Sequence, residues 1–398
     1  MKTSAAPNPW LNLAVGATTL LASSFVVSGA AFLIPALISE RGLTLTQAGT
    51  IAAMPLIGTM LTLLAWGVLV DRIGERAVLS SGLALATLTG TGAVLADSSL
   101  WLGIFLLLGG MTTAGTNSAT GRLIVGSFPS HRRGLAMGIR QTAQPIAVGL
   151  AAVTIPVVAH EYGLRSALTL PLGICAVSGV AAFLLIADPP RPSREEAHAL
   201  GHLTNPYRRV RSLWRIHAAS VLLVIPQFAV WTFALVWLIA ERDWSPASAG
   251  LLVAFTQLLG AASRIGAGHW SDRVGSRLRP MRLVAVAAAL AMIGLGLFED
   301  TRMAVALLIM ASVVSVVDNG LAYTAVAEAS GPFWSGRTLG IHNTAQFLAS
   351  ASVPPLLGAV ISHQGYGFAF AIVAVFPLLA VPLVPVNKEA QFEPSPAS

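Results

Sequence analysis

Asp318 is the one carboxylate well inside an apolar run of this sequence, and an ionisable side chain there is costly enough to mark a functional position. Such a carboxyl can carry a proton or face a basic group; a purely structural carboxylate held by a neighbouring arginine or by backbone is the alternative. Arg140 falls about two turns into another run, roughly 9 Å at 1.5 Å per residue. A guanidinium there suits bidentate recognition of a carboxylate or phosphate. His342 occupies the matching place in a later run, where an imidazole can titrate near neutral pH. Gln144 and Gln346 follow these two at i+4 on the same helical faces, so the four positions would form a polar collar. Snorkelling or interhelical bonding near the cytoplasmic surface is the other reading of Arg140 and His342.

Other polar positions lie in the apolar runs. Asn117 and Asn319 stand 202 positions apart and would either contact a solute or tie helices together. Gln227 and Trp231 share a face, and with Phe228 they would build an aromatic wall or simply pack. Arg122 and Arg264, near the inner ends of their runs, are expected to snorkel. Glu328, at the end of the run that holds Asp318, reads as an interfacial residue.

Catalytic and cofactor signatures are missing. The sequence has no Walker A loop, no dinucleotide fingerprint and no G-x-S-x-G. His198 and His202 have i, i+4 spacing in a polar stretch but lack a third ligand, so no metal is expected. Cys175 is the only cysteine, which excludes an intrachain disulfide and leaves a small buried apolar residue. A membrane enzyme would need nucleophile, base or metal residues clustered at one depth, and a transport-dead sensor would need an added signalling segment. Neither is visible, so the expectation is no enzyme and no cofactor.

The elements that must position these residues follow from composition. Of 398 residues, 55% are hydrophobic and 10% charged, and the mean hydropathy is +0.74. Soluble domains carry about 25% charged residues, so the chain is expected to be an all-α polytopic membrane protein. Apolar runs fall at roughly 12–38, 46–70, 77–96, 99–126, 134–159, 164–187, 213–240, 246–270, 281–298, 303–327, 337–362 and 366–386. The first run is too long for a signal-peptide core and reads as a span. Twelve transmembrane helices are therefore predicted, as an N-terminal six-helix bundle (1–187), a cytoplasmic linker (188–212) and a C-terminal six-helix bundle (213–398).

The net charge of +7 reflects topology rather than nucleic-acid binding. With both termini inside, the inner loops carry Arg72, Arg76, Arg132, Arg133, the linker cluster, Arg273, Arg277, Arg279, Arg282 and Arg337. The outer loops carry only Arg41, Arg165, Arg242 and Arg302, each with an acidic neighbour. Lys2 and Lys388 are the only lysines among 24 basic residues, and with the abundant alanine this points to a bacterial cytoplasmic membrane.

The pattern G-x-x-x-D-R-x-G-x-R occurs twice. Gly67, Asp71, Arg72, Gly74 and Arg76 carry it after the second run; Gly268, Asp272, Arg273, Gly275 and Arg277 carry it after the eighth, 201 positions on. Gly138-Ile-Arg-Gln-Thr-Ala-Gln144 is echoed by Gly340-Ile-His-Asn-Thr-Ala-Gln346, 202 positions on. Two matches at nearly one offset indicate a tandem repeat of six-helix units, an arrangement expected of transporters.

These residues resemble the major facilitator superfamily over essentially the whole chain, the duplicated loop being that family's signature. The resemblance implies two pseudo-symmetric six-helix bundles, a cavity lined by helices 1, 4, 7 and 10, alternating access and a monomer. It assigns the motif residues to gating: glycines let helix ends approach, the aspartates hold a helix N-terminus, and the arginines pair with carboxylates or helix C-termini. Phe128 to Ile139 is similar to the start of helix 5 in carriers of organic anions and small metabolites. An antiporter motif expected next keeps Pro145 and Gly149, but Gln144 and Val148 stand where glycines belong. The expected partners are therefore a small organic solute, protons and lipid. Proton-antiport efflux of a drug or metabolite is the alternative.

Overall fold

A computed structural model describes residues 8–191, 194–199 and 203–387. Backbone polar groups in hydrocarbon have no water to bond, so apolar runs of this length close their hydrogen bonds internally as helices. Among the described residues, ten continuous helices are long and apolar enough to cross a membrane. Two are of double length: Ser130–Leu185 has 56 residues and Ser335–Leu383 has 49, against the ~20 that one crossing needs. Each is broken at a glycine, Gly163 (φ 84°, ψ 166°) and Gly365 (φ 79°, ψ 174°). A Cβ disfavours that backbone. The two breaks make twelve spans, close to the boundaries read from hydropathy.

The repeat is visible in the backbone. Left-handed φ values occur at Gly42 and Asp243, Gly74 and Gly275, and Gly163 and Gly365, which are 201, 201 and 202 positions apart. Spans 4 and 10 are also interrupted at matching places. Span 4 is Ser99–Thr113 followed by Gly115–Ser127, and span 10 is Ala304–Val314 followed by Asp318–Ser330. Asn117 and Asn319 each lie just past the interruption, in the first turn of the second piece.

The chain packs as two compact units. Unit 1 holds Met1–Pro129, Thr142–His202 and Pro332–Ile341. Its core gathers Phe25, Leu37, Leu102, Ile155 and Leu168, where Pro9–Gly29 and Glu75–Leu95 pack on Ala143–Leu185. Unit 2 holds Ser130–Gln141, Leu203–Gly331 and His342–Ser398. Trp237, Met292, Leu295 and Phe370 centre its core, and Pro246–Val274 packs along Ser130–Gln141. Each unit thus contains one segment from the other half of the sequence. Outward faces stay apolar, with Leu88 at 67% and Leu251 at 73% exposure, as helices facing lipid require.

Candidate functional site

Unit 1 builds its charged cluster around Asp71, at the end of Leu45–Ile73. The carboxylate accepts the backbone N–H groups of Gly336 (2.8 Å) and Arg337 (3.0 Å), and the Arg337 Nε at 2.9 Å. These amides open the helix Ser335–Val373, so the anion sits where unsatisfied donors and the helix dipole favour it. The approach needs glycine: a Cβ on Gly67 would come within 2.5 Å of the Gly336 oxygen. Arg122 also pairs with Asp71, at 3.2 Å, and with Glu75, at 3.1 Å. Glu75 in turn accepts from Arg191 at 2.7 Å.

Unit 2 repeats the arrangement. Asp272 accepts the backbone N–H groups of Gly134 (2.9 Å) and Leu135 (2.8 Å). A Cβ on Gly268 would collide with the Gly134 oxygen. Arg277 donates to Asp272, to the Ser130 oxygen and to Glu328, which also accepts from Arg133 at 3.4 Å. Burial alone would lower the Arg277 pKa, but Glu328 and Asp272 outweigh it and hold the guanidinium above its usual value.

Several expectations need correction. Arg122 and Arg264 do not snorkel; they are 4% and 2% exposed. Arg122 finds two carboxylates and Arg264 donates to the Gln141 oxygen at 2.8 Å, so both turn to partners inside the protein rather than reach for water. Glu328 is an ion-pair partner rather than a plain interfacial acid. Arg72 and Arg273 are exposed and form no ion pair among the described residues, unlike the pairing expected of the motif's arginines. Both immediately follow the buried aspartate and point away with the helical turn. Arg76 is exposed too, its guanidinium 5.0 Å from the Phe183 ring centre and its backbone N–H on Asp188. Gly74 and Gly275 terminate their helices with positive φ.

The second cluster is the polar interior of unit 2. Asp318 opens the helix after the interruption in span 10, is 1% exposed, and accepts from Ser220 Oγ at 3.3 Å. Its Oδ1 and the Arg264 Nε have no hydrogen-bond partner among the described residues. The two side chains form no ion pair there. Ser220 also accepts from Gln346 Nε2 at 2.8 Å. Asn319 donates to Gln227 Oε1 at 3.0 Å, and the rings of Phe228 and Trp231 lie 5.5 Å apart. Arg140 is fully buried with its guanidinium 5.0 Å from the Tyr323 ring centre. Tyr323 accepts from Asn343 at 2.7 Å and packs edge-on to His342, with ring centres 5.8 Å apart.

His342 is fully buried, its Nδ1 2.9 Å from His217 Nδ1, and His217 Nε2 lies 2.9 Å from the Tyr207 hydroxyl. Burial pushes the half-buried Tyr207 phenol above its usual range. The four collar positions divide between the units. Arg140, His342 and Gln346 belong to unit 2, whereas Gln144 belongs to unit 1, as does Asn117. Sequence reasoning missed Tyr207, His217, Ser220, Tyr323, Glu75 and Arg191. His217 alone left a signal, as a histidine early in an apolar run. His202 lies outside the described residues. Cys175 is buried, as expected, and no group of three metal-ligating side chains occurs among the described residues.

Comparison with known proteins extends this picture. The profile of the Major Facilitator Superfamily matches residues 16–354. An uncharacterised MFS-type transporter of Mycobacterium tuberculosis (strain H37Rv) is 51% identical over 369 residues, 92% of this chain and 82% of the relative. The proton:xylose symporter XylE, bound to 6-bromo-6-deoxy-D-glucose, superposes with a TM-score of 0.77 at 17% identity, covering 96% of this chain and 97% of XylE. The human organic anion transporter MFSD10 (TETRAN) gives 0.76 at 17% identity, over 95% of this chain and all of that one (100%). At those identities the two structures speak for the fold alone.

Proposed function

We propose that this chain, which belongs to the Major Facilitator Superfamily and is a secondary membrane transporter, carries a small anionic organic solute by proton-coupled alternating access. The observation that supports the solute's charge is the depth of two guanidinium groups in the interior of unit 2. Arg140 and Arg264 are 0% and 2% exposed, and Asp318, at 1%, lies in the same unit. A guanidinium so placed suits recognition of a carboxylate or phosphate by charge-assisted hydrogen bonds.

Coupling follows from the charge of Asp318. A proton on Asp318 removes a negative charge from that interior, so anion binding strengthens; by reciprocity, a bound anion favours the proton. Asp318 is thus the proton carrier and Arg140 the anion-recognising group. The amides of Asn319, Gln227 and Gln346 with Trp231 and His342 supply further contacts in unit 2. Asn117 and Gln144 supply the corresponding amides of unit 1. The paired motif, Gly67 to Arg76 and Gly268 to Arg277, acts as a latch that must open in each cycle. The protein works as a monomer in a bacterial cytoplasmic membrane, with both termini on the cytoplasmic side.

A thermal-shift screen on detergent-purified protein tests the reading, with mono- and dicarboxylates and inorganic phosphate set against lipophilic cations such as tetraphenylphosphonium. A ligand at ~100 times its Kd stabilises by ~2.7 kcal/mol. The expected hit is an anion, lost in Arg140→Gln and strengthened in Asp318→Asn. A cationic hit lost in Asp318→Asn would overturn this in favour of efflux.

A further inference from the structure

We propose that Tyr207, His217 and His342 form a proton relay between the polar stretch that joins the two halves of the sequence and the buried carboxyl of Asp318. The proposal rests on the reading of Asp318 as a proton carrier. Three observations support it. The first is alignment: Tyr207 Oη to His217 Nε2 and His217 Nδ1 to His342 Nδ1 are both 2.9 Å. The second is a gradient of burial. Tyr207 is half-buried, in the short helix Pro206–Arg209, while His217 is 4% and His342 0% exposed. The third is that His342 Nε2, at the inner end of the file, has no hydrogen-bond partner among the described residues.

The polar groups continue inward. Ser220 and Gln346 follow His217 and His342 by one helical turn on the same faces, and Ser220 donates to Asp318. A metal site does not explain the geometry. Two Nδ1 atoms face each other while Tyr207 sits on the far nitrogen of His217, so the groups stand in file instead of converging on one point.

Hydrogen-bond complementarity makes the file switchable as a unit. One nitrogen of each neutral imidazole donates and the other accepts. If His217 carries its proton on Nδ1, it donates to His342 Nδ1, accepts from Tyr207, and His342 must carry its proton on Nε2. If His342 carries its proton on Nδ1, then His217 carries one on Nε2 and donates to Tyr207. Passage inward moves the Tyr207 proton to His217 Nε2, the His217 Nδ1 proton to His342 Nδ1, and releases the His342 Nε2 proton. Tyr207 takes one proton from water, so one proton enters and one leaves. Both rings end in the other tautomer, and outward passage is the reverse. Among the described residues, the titratable and charged groups nearest the file are Tyr323, which packs on His342, Arg140, which lies over Tyr323, and Asp318, which accepts from Ser220 and interacts with Arg264.

Nitrogen-15 NMR of histidine-labelled protein in lipid nanodiscs reads the tautomers directly, with His217→Gln and His342→Gln giving the assignments. Tyr207→Phe keeps the ring that packs on Trp214, with centres 4.5 Å apart, and removes only the hydroxyl. The expected result is that Tyr207→Phe shifts the tautomer balance of both rings, although Tyr207 does not touch His342. A change confined to His217, or no change, overturns the relay. Time-resolved infrared spectroscopy after a pH jump then follows the Asp318 carboxyl band, identified by its loss in Asp318→Asn. Its protonation should slow by about tenfold or more in Tyr207→Phe, and an unchanged rate overturns the connection. If no such band titrates, the proton-carrier reading of Asp318 fails instead. The histidine spectra still decide on the relay in that case.

Discussion

Asp71 and Asp272, 201 positions apart, each accept two consecutive backbone N–H groups: Gly336 and Arg337 for the first, Gly134 and Leu135 for the second, themselves 202 positions apart. The cations around them come from unrelated positions. Arg337 and Arg122 face Asp71, and Arg277 faces Asp272. At the motif's last arginine the two copies diverge: Arg76 is exposed and Arg277 is 6% exposed. Backbone bonding is thus common to the two aspartate sites and ion pairing is particular to each.

The two aspartates should therefore differ in cost. Asp71→Asn leaves Arg337 without a carboxylate and Arg122 with Glu75 alone, around a side chain of 0% exposure, and a loss of about 3–5 kcal/mol is expected. Asp272→Asn leaves Arg277 its Glu328 partner, and the loss should be nearer about 1–3 kcal/mol. Thermal unfolding in detergent measures both. Equal losses would show that the extra cations contribute nothing.

Close glycine crossings make a second prediction. Gly134→Ala and Gly268→Ala each push a methyl into facing backbone and should destabilise by about 1–3 kcal/mol. Gly149→Ala meets nothing within 4 Å and should be neutral or slightly stabilising. The same melting series checks this, and a loss at Gly149 equal to the others would remove the role of close approach.

Arg277→Gln leaves Asp272 and Glu328 without their shared cation and should cost about 3–5 kcal/mol. Adding Glu328→Gln should restore part of that loss, a coupling readable from a double-mutant cycle. The folded-state pKa of Arg277 is raised, so its contribution is complete below the ordinary arginine value and disappears only as pH rises through the still higher folded value. Stability should therefore show no Arg277-dependent step between pH 5 and pH 9, and a step lost in Arg277→Gln would contradict the assignment.

Asp318→Asn keeps an acceptor for Ser220 while removing the charge. Folding and expression should be retained, and gradient-driven accumulation of the solute in proteoliposomes should be abolished. Accumulation at the wild-type level in this variant would exclude Asp318 as the proton carrier.

The twelve spans, the duplicated loop and the positions of Asp318 and Arg140 were legible in the sequence, because hydropathy, glycine pattern and repeat offset are local marks along the chain. Even the left-handed pairs at Gly42 and Asp243, or Gly163 and Gly365, follow the offset that the motifs announce. What the tertiary structure decided was partnership. The placing of Ser130–Gln141 in unit 2 and Pro332–Ile341 in unit 1 brings Gly134 to Gly268 and Gly336 to Gly67. Arg122 then turns inward to Asp71 instead of outward to the surface, and His217 meets a histidine 125 positions away. A buried polar group takes whichever partner the packed helices bring within hydrogen-bond reach. Contacts between segments far apart in sequence leave no periodicity in either one, so that choice is made only when the helices pack.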